Sequence, residues 1–183
     1  AADETELRWQ RDLAVLLERV GDMLVTQGRV DPAIESYQES ASIRSKLASL
    51  APEDEGWQRD HSVALERLGD ALHFKGKSEE ALENYRQSLA SSEQLAASDK
   101  DNAGRRYDVS ISSMKVGDML RALGKPDEAL SHYKDAQAIC EQLVKDEPGS
   151  ANWNRGLSVA LIKVADVLSE RNQLAESVEA YNS

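Results

Sequence analysis

The chain has 183 residues, of which 22 are Lys or Arg and 33 are Asp or Glu, so its net charge is −11 at pH 7. This length is enough for one ordinary domain or a short repeat array. Hydrophobic residues make up 40% of the chain and charged residues 30%, a balance that excludes both a disordered acidic tail and a protein embedded in lipid. The acidic charge also argues against nucleic acid and membrane surfaces as partners, because both attract basic proteins.

Neither a membrane span nor an export signal is visible in the sequence. No run reaches the roughly 18 apolar residues that a membrane span needs, and the first residues lack a basic segment followed by an apolar one. We therefore expect a cytoplasmic location. Because residue 1 is Ala rather than Met, we also expect the chain to be an excised fragment or a processed product, so that any leader would be missing from this sequence. The single cysteine, Cys140, excludes a disulfide framework and a cysteine-rich metal site.

The sequence repeats itself every 48 residues. The run Trp-Gln-Arg-Asp at residues 9–12 recurs at 57–60, and altered copies follow at 105–108 and 153–156. Aligned without gaps, 9–56 and 57–104 share 19 identities in 48 positions. The sequence therefore predicts a single array over 1–183, built from units 9–56, 57–104 and 105–152 and a partial unit 153–183.

Within each unit the apolar spacing predicts two helices and no strand. In the first unit one helical stripe recurs every three or four residues: Leu13, Leu16, Leu17, Val20 and Leu24. A residue that accepts the left-handed conformation then ends this first helix: Gly28, Gly76, Gly124 and Asn172. A second helix follows at once, and Pro52 and Pro148 mark its end. The N-caps of the next first helices are predicted to be Asp54, Asn102 and Ser150.

The order of residues in each unit resembles the tetratricopeptide repeat signature. In the first unit the matching residues are Leu17, Val20, Gly21, Leu24, Gly28, Ala33 and Tyr37. The signature spans 34 residues, 14 fewer than this period, so we expect each helix to be two turns longer. The resemblance implies an all-α fold, an α-solenoid of stacked antiparallel helix pairs wound into a right-handed superhelix. First helices would line its concave side.

Small residues at one repeat position are expected to let the paired helices approach closely: Gly21, Gly69, Gly117 and Ala165. The fourth unit stops early in its second helix, so apolar surface is expected at Leu174, Val178 and Tyr181. We expect either that the native protein continues beyond this fragment or that this uncapped C-terminal end associates with another copy.

One face of the first helices is predicted to line a partner-binding groove. It changes from acidic in the first two units to more apolar in the last two, which suits a protein or peptide with basic residues at one end and apolar residues at the other. The candidate groove residues are Arg11, Glu18, Asp22, Arg59, Glu66, Asp70, His73, Phe74, Tyr107, Met114, Asp118 and Arg121. Family members that hold an acidic carboxyl-terminal peptide have Lys and Asn at positions matching Glu18, Asp22, Glu66 and Asp70, so that function is not expected.

Each candidate also has a structural interpretation. The column Asp22, Asp70, Asp118 and Asp166 lies three residues after a basic column, and such pairs often support a helix or bridge adjacent repeats. Phe74 either faces the groove or is buried against the third unit. The tryptophans at the start of first helices are expected to pack between units: Trp9, Trp57 and Trp153. Cys140 is expected to be a buried, inert thiol.

No catalytic, metal or cofactor site is predicted. The run Gly76-Lys77-Ser78 imitates the end of a phosphate loop, but the first glycine of that motif is replaced by Ala71. The three histidines lie on different helices without metal-ligand spacing. We predict a protein-protein interaction scaffold rather than an enzyme. The alternative is a regulatory or oligomerisation segment of a larger signalling or effector protein.

Overall fold

The computed structural model describes the backbone of residues 4–182 and the side chains of residues 5–172. All regular structure within these residues is helical. The helices are α1 (Glu4–Thr26), α2 (Val30–Leu50), α3 (Glu55–Phe74), α4 (Ser78–Ser98), α5 (Ala103–Ala122), α6 (Pro126–Asp146) and α7 (Ala151–Asn182). Consecutive helices pack in pairs across tight turns, and neighbouring repeats stack where α2 meets α3 and where α6 meets α7. The predicted fold class, an all-α solenoid of helix pairs, is confirmed.

The helices form two compact units. One unit, Ala1–Lys100, contains α1 to α4, and the other, Asp101–Ser183, contains α5 to α7. In the first unit α2 packs against both α1 and α3, and in the second unit α6 packs against both α5 and α7. Each unit thus covers the second helix of one repeat with the first helix of the next, as a stacked array requires. The continuation of one array through both units stays a prediction.

Glycine ends the first helix in three repeats, as predicted. The φ angles are 72° at Gly28, 81° at Gly76 and 73° at Gly124, all in the left-handed region. The residue after each glycine then bonds back into the helix; the Arg29 N–H, for example, donates to the Leu24 carbonyl at 2.9 Å. This geometry satisfies a carbonyl of the last helical turn while reversing the chain. A side chain at these positions would strain the backbone.

The same prediction is wrong at Asn172. Helix α7 continues without interruption over Ala151–Asn182, and no described residue other than glycine has a positive φ. Asn has a Cβ and enters the left-handed region less easily than Gly, so the helix keeps its backbone hydrogen bonds and continues. The side chains of Leu174, Val178 and Tyr181, where an apolar end was predicted, lie outside the described residues.

Two of the predicted N-caps are confirmed. The Asp54 carboxylate accepts a hydrogen bond from the Trp57 backbone N–H at 3.1 Å, and the Asn102 side-chain oxygen accepts one from Arg105 at 3.2 Å. Each bond satisfies an N–H group that has no partner within its own helix. Ser150 directly precedes α7.

A tyrosine of each second helix packs against a glycine of the preceding first helix. A Cβ added to Gly21, Gly69 or Gly117 would lie 2.6, 2.7 or 2.6 Å from the nearest ring carbon, so the ring occupies the space of a missing side chain. The tyrosine hydroxyl then donates to an aspartate of the same first helix at 2.5–2.7 Å: Tyr37 to Asp22, Tyr85 to Asp70 and Tyr133 to Asp118. Burial and this hydrogen bond raise the pKa of Tyr37 and Tyr133. One tyrosine thus sets both the spacing and the register of each helix pair.

Ion pairs connect successive repeats within each unit. Arg67 lies 2.8 Å from Asp22 in the first unit, and Lys163 lies 2.6 Å from Asp118 in the second, both across a separation of 45 residues. Of the two structural interpretations of the acidic and basic columns, bridging between repeats is therefore observed at these positions. Such exposed pairs each contribute little to stability, so their main effect is on register.

Arg44 joins three helices of the first unit. Its buried side chain places Nε 2.8 Å from Glu18 on α1 and Nη1 2.7 Å from Asp60 on α3. The Ser40 hydroxyl also donates to Glu18 at 3.1 Å. Because burial removes the hydration of both charges, each depends on its partner.

The third repeat has an uncharged version of the pair formed by Glu18 and Arg44. Two periods further along the chain, the position of Glu18 holds Met114 and that of Arg44 holds Cys140. Both side chains are buried. Buried uncharged side chains thus occupy the two positions at which the first repeat has a salt bridge.

We expect Gly117→Ala to lower the free energy of unfolding by about 1–3 kcal/mol. The new Cβ would lie 2.6 Å from Cε1 of Tyr133, whose side chain is fully buried and has no room to move. Urea denaturation followed by circular dichroism measures the change. Gly149→Ala is the control, because its Cβ would meet no atom within 4 Å and its φ is not positive. Equal losses in the two variants would contradict the packing argument.

We expect Arg44→Cys to lower the free energy of unfolding by about 3 kcal/mol, because Glu18 would stay buried without its main partner. Adding Glu18→Met should recover most of the lost free energy of unfolding, since the double variant carries the residue pair of the third repeat. Denaturation of the two variants and the parent chain checks this. A double variant as unstable as the single one would show that burial of the Glu18 charge is not the cause.

Candidate functional site

The predicted groove face of α3 carries exposed apolar and charged side chains. Phe74 is 72% exposed and Val63 41% exposed, and Asp70 is also exposed. These residues are seven and four positions apart, so a rotation of about 100° per residue places all three on one side of the helix. Of the two alternatives for Phe74, exposure is observed. His73, which precedes it at the end of α3, is exposed as well.

On α1 the corresponding face is charged and already engaged in contacts within the unit. The carboxylate of Asp22 accepts hydrogen bonds from Tyr37 and Arg67 at 2.7 and 2.8 Å. Arg11 is exposed, with Nε 3.6 Å from Asp60 on α3. Ion pairs thus connect side chains of α1 with side chains of α3 on the predicted groove face of the first unit.

Three of the candidate residues present little surface to a partner. Glu18 is buried with Arg44, and Met114 is buried. Glu66 is half-buried, and its carboxylate accepts a hydrogen bond from Ser88 at 3.0 Å. The helical spacing placed these side chains on the groove face, but packing against the second helix of the same repeat draws them inward.

In the second unit the candidate residues hold α5 against α7. The ring of Tyr107 is half-buried and meets the ring of Trp153 edge-on, with 4.8 Å between the centroids. Arg121 lies 3.5 Å from Asp166 and also pairs with Glu170. Asp118 is bonded to Tyr133 and Lys163, as described above. The exposed apolar residue on this face is Ile162, which is 61% exposed.

Away from this face, burial changes the pKa of a histidine and of the single cysteine. Burial and the charge of Arg44 lower the pKa of His61. Cys140 is buried, burial raises the pKa of its thiol, and its Sγ lies 3.5 Å from the Ser110 hydroxyl. Among the described residues no group of three or more His, Cys, Asp or Glu side chains is placed to hold a metal ion. The absence of a catalytic site and of a cofactor stays a prediction.

None of the helices in the described part of the chain combines the length and apolar character needed to cross a membrane.

Sequence reasoning missed the exposure of apolar side chains on α1, where the predicted core stripe is largely in contact with water. Trp9, expected to pack between units, is 71% exposed. Three residues of the predicted stripe, Leu13, Leu16 and Val20, are exposed, and so is the neighbouring Met23. The corresponding side of α3 is covered by α2, and no described helix covers it on α1. A signal was present, because position 16 holds Leu where the other repeats have Ala64, Ser112 and Ala160.

Two models of the tetratricopeptide repeat family match the chain, one over residues 63–95 and one over residues 114–148. The first match lies in α3 and α4, and the second runs from α5 through α6. Each therefore covers a helix pair built around a Tyr–Gly contact. No curated protein matches the chain.

Solved structures with some similarity to the chain include three helical repeat proteins. The first TPR of Spaghetti (RPAP3), bound to the HSP90 peptide SRMEEVD, is 19% identical with a TM-score of 0.46, covering 84% of this chain and 94% of that one. The de novo designed helical repeat protein DHR64 is 12% identical with a TM-score of 0.37, covering 94% and 97%. The MamA protein is 17% identical with a TM-score of 0.30, covering 92% and 93%.

The family matches fall on the same helix pairs in which the sequence signature was found, and the structure shows the turn and the contacts that this signature encodes. Repeats of this kind are generally non-enzymatic modules for binding other proteins. Residues 63–95 and 114–148 are therefore tetratricopeptide repeats, and at that level the chain is a protein-interaction scaffold.

Proposed function

We propose that the chain binds a peptide or a helix of a partner protein on the surface that α1 and α3 share. The observation that supports this most directly is the exposure of Phe74, the only phenylalanine, at 72%. A large aromatic side chain in water gains free energy when a partner covers it, and aromatic residues are frequent anchors of interfaces. On its own helix Phe74 shares a face with Asp70, one turn away, and with Val63, about three turns away, and His73 is its neighbour in sequence.

The chemistry of this surface favours a partner with apolar and basic residues. Phe74 and Val63 would contact an apolar side chain, and Asp70 would attract a Lys or Arg next to it. Arg11 and Arg59 are both exposed and lie towards the N-terminal ends of α1 and α3, away from Phe74. Their positive charges would repel a partner that is basic throughout. An acidic carboxyl-terminal peptide is a poor fit, because Asp22 and Asp70 occupy the positions where it would need cations.

The proposal concerns the first unit only. In that unit Glu18 and Glu66 pack inward beneath the surface. In the second unit Tyr107, Asp118 and Arg121 are engaged in contacts that position α5, α6 and α7. Met114 is buried there, and Ile162 is exposed on α7.

We expect Phe74→Ala to weaken peptide binding by about tenfold or more, because it removes the main apolar anchor. The probe is a synthetic peptide with the consensus sequence selected from a random phage-displayed library, which should contain Lys or Arg beside apolar residues. Isothermal titration calorimetry measures its affinity. Asp70→Asn should weaken binding less, and chiefly at low salt, because it removes the charge but keeps an oxygen that accepts the Tyr85 hydrogen bond.

The thermal melt of Phe74→Ala should match that of the parent chain, because the side chain is mostly in water. Leu50→Ala is the matched control, since Leu50 is 60% exposed at the end of α2 and outside this surface. Its peptide affinity should be unchanged. Selection of acidic peptides, or full affinity in the Phe74→Ala variant, would contradict the proposal.

A further inference from the structure

An apolar stripe runs along the free side of α1. Its residues follow each other at intervals of four, three, four and three: Trp9, Leu13, Leu16, Val20 and Met23. At 100° per residue they lie within about 80° of arc on the helix surface. All five side chains are exposed, from 45% at Leu13 to 71% at Trp9. This spacing is the heptad pattern of helices that pair along their length.

The size of these residues distinguishes the stripe from a repeat-stacking face. The repeat position of Leu16 is occupied by Ala64 on α3 and by Ala160 on α7. Both alanines are buried where α3 meets α2 and where α7 meets α6, and their small side chains allow the helices to approach closely. The position of Met23 holds Ala71 on α3. Leu16 and Met23 are larger than these alanines, so a helix packed on this side of α1 would lie further away than α2 lies from α3. The stripe of α1 instead offers protruding side chains suited to interlocking with a similar stripe.

Two charged residues border the stripe on the edge that points away from α2. Asp12 and Arg19 are seven residues apart, both are exposed, and their angular positions lie just beyond that of Met23. In a pair of such helices running in the same direction, the two copies of this edge would lie on opposite sides of the pair, so Asp12 and Arg19 would not meet. Running in opposite directions, the helices would place Asp12 of each helix opposite Arg19 of the other.

We propose that two copies of this chain form a dimer in which their α1 helices pair antiparallel along this stripe. Leu13 of each copy packs against Leu16 of the other, and Trp9 of each copy packs against Val20 of the other. Asp12 of each copy pairs with Arg19 of the other. The contact is isologous, because one surface meets itself across a two-fold axis. It uses a different surface from the proposed peptide-binding face, so both can operate at once.

The expected affinity is modest. A single helix pair covers less surface than a standard protein interface, so we expect a dissociation constant on the order of 1–100 µM. Sedimentation equilibrium across that range should show a mass rising from 20.2 kDa towards twice that value. A chain that remains monomeric throughout would overturn the proposal.

Leu16→Glu should abolish the mass increase, since it brings two carboxylates into the apolar centre of the contact. Circular dichroism should show an unchanged melt, because Leu16 is 57% exposed in the single chain. Ile162→Glu is the matched control, an equally exposed apolar residue on α7. It should dimerise normally. Loss of dimer in Ile162→Glu together with its persistence in Leu16→Glu would place the contact at the C-terminal end and overturn the proposal.

Charge exchange tests the direction of the pairing. Asp12→Arg alone and Arg19→Asp alone should each raise the dissociation constant by roughly tenfold, because each creates two like-charged contacts. The two substitutions together should restore the parent value, since the opposite charges meet again. Additive losses in the double variant would overturn the antiparallel arrangement.

Cross-linking provides a test that does not depend on affinity. An equimolar mixture of Leu13→Cys and Leu16→Cys chains should form a disulfide-linked dimer on mild oxidation, while either variant alone should do so far more slowly. Self-linking by each variant alone would indicate a parallel pair and overturn the proposal. The native Cys140 is buried and serves as the internal control in the parent chain. Phe74→Ala should leave all these results unchanged, which separates failure of this proposal from failure of the proposed peptide binding.

Discussion

The contact between a tyrosine and a glycine of the preceding helix determines how closely each helix pair packs. A ring carbon occupies the space in which any other residue would place its Cβ, and the hydroxyl beyond it is bonded to an aspartate on the same first helix. The apolar ring therefore fixes the distance, and the polar bond fixes the rotation. The helices can extend further at either end without disturbing the contact between tyrosine and glycine. This explains how helices of 20 to 23 residues retain the contacts of a shorter repeat.

Residues that recur in every complete repeat are used for structure, and residues that differ between repeats provide the distinctive surfaces. The recurring tyrosine, glycine and aspartate all point inward or towards the neighbouring repeat. Phe74, Leu16 and Arg44 each interrupt the pattern. The first two are exposed apolar side chains, and the third is a buried cation that holds three helices together. The two proposed binding surfaces therefore depend on residues that break the periodicity.

Several sequence-based expectations failed for a common reason. Helical spacing places residues on one side of a helix, but it does not show whether another helix covers that side. Glu18 was assigned to an open groove and is instead buried with Arg44, while Leu13 and Val20 were assigned to the core and are exposed on α1. At Asn172 the position matched the glycine turns, yet the helix continues, because the Cβ of Asn removes the advantage that Gly has there.

The sequence by itself determined the helix pairs, their period, most of their ends and the family to which they belong, because these depend on local spacing and on residues with special backbone freedom. Tertiary structure alone decided which sides of those helices meet water. Burial is a property of the whole arrangement: the same stripe that is covered on α3 is open on α1, where no described helix lies against it. Function at a surface of this kind depends on that difference, and a periodic sequence does not encode it locally.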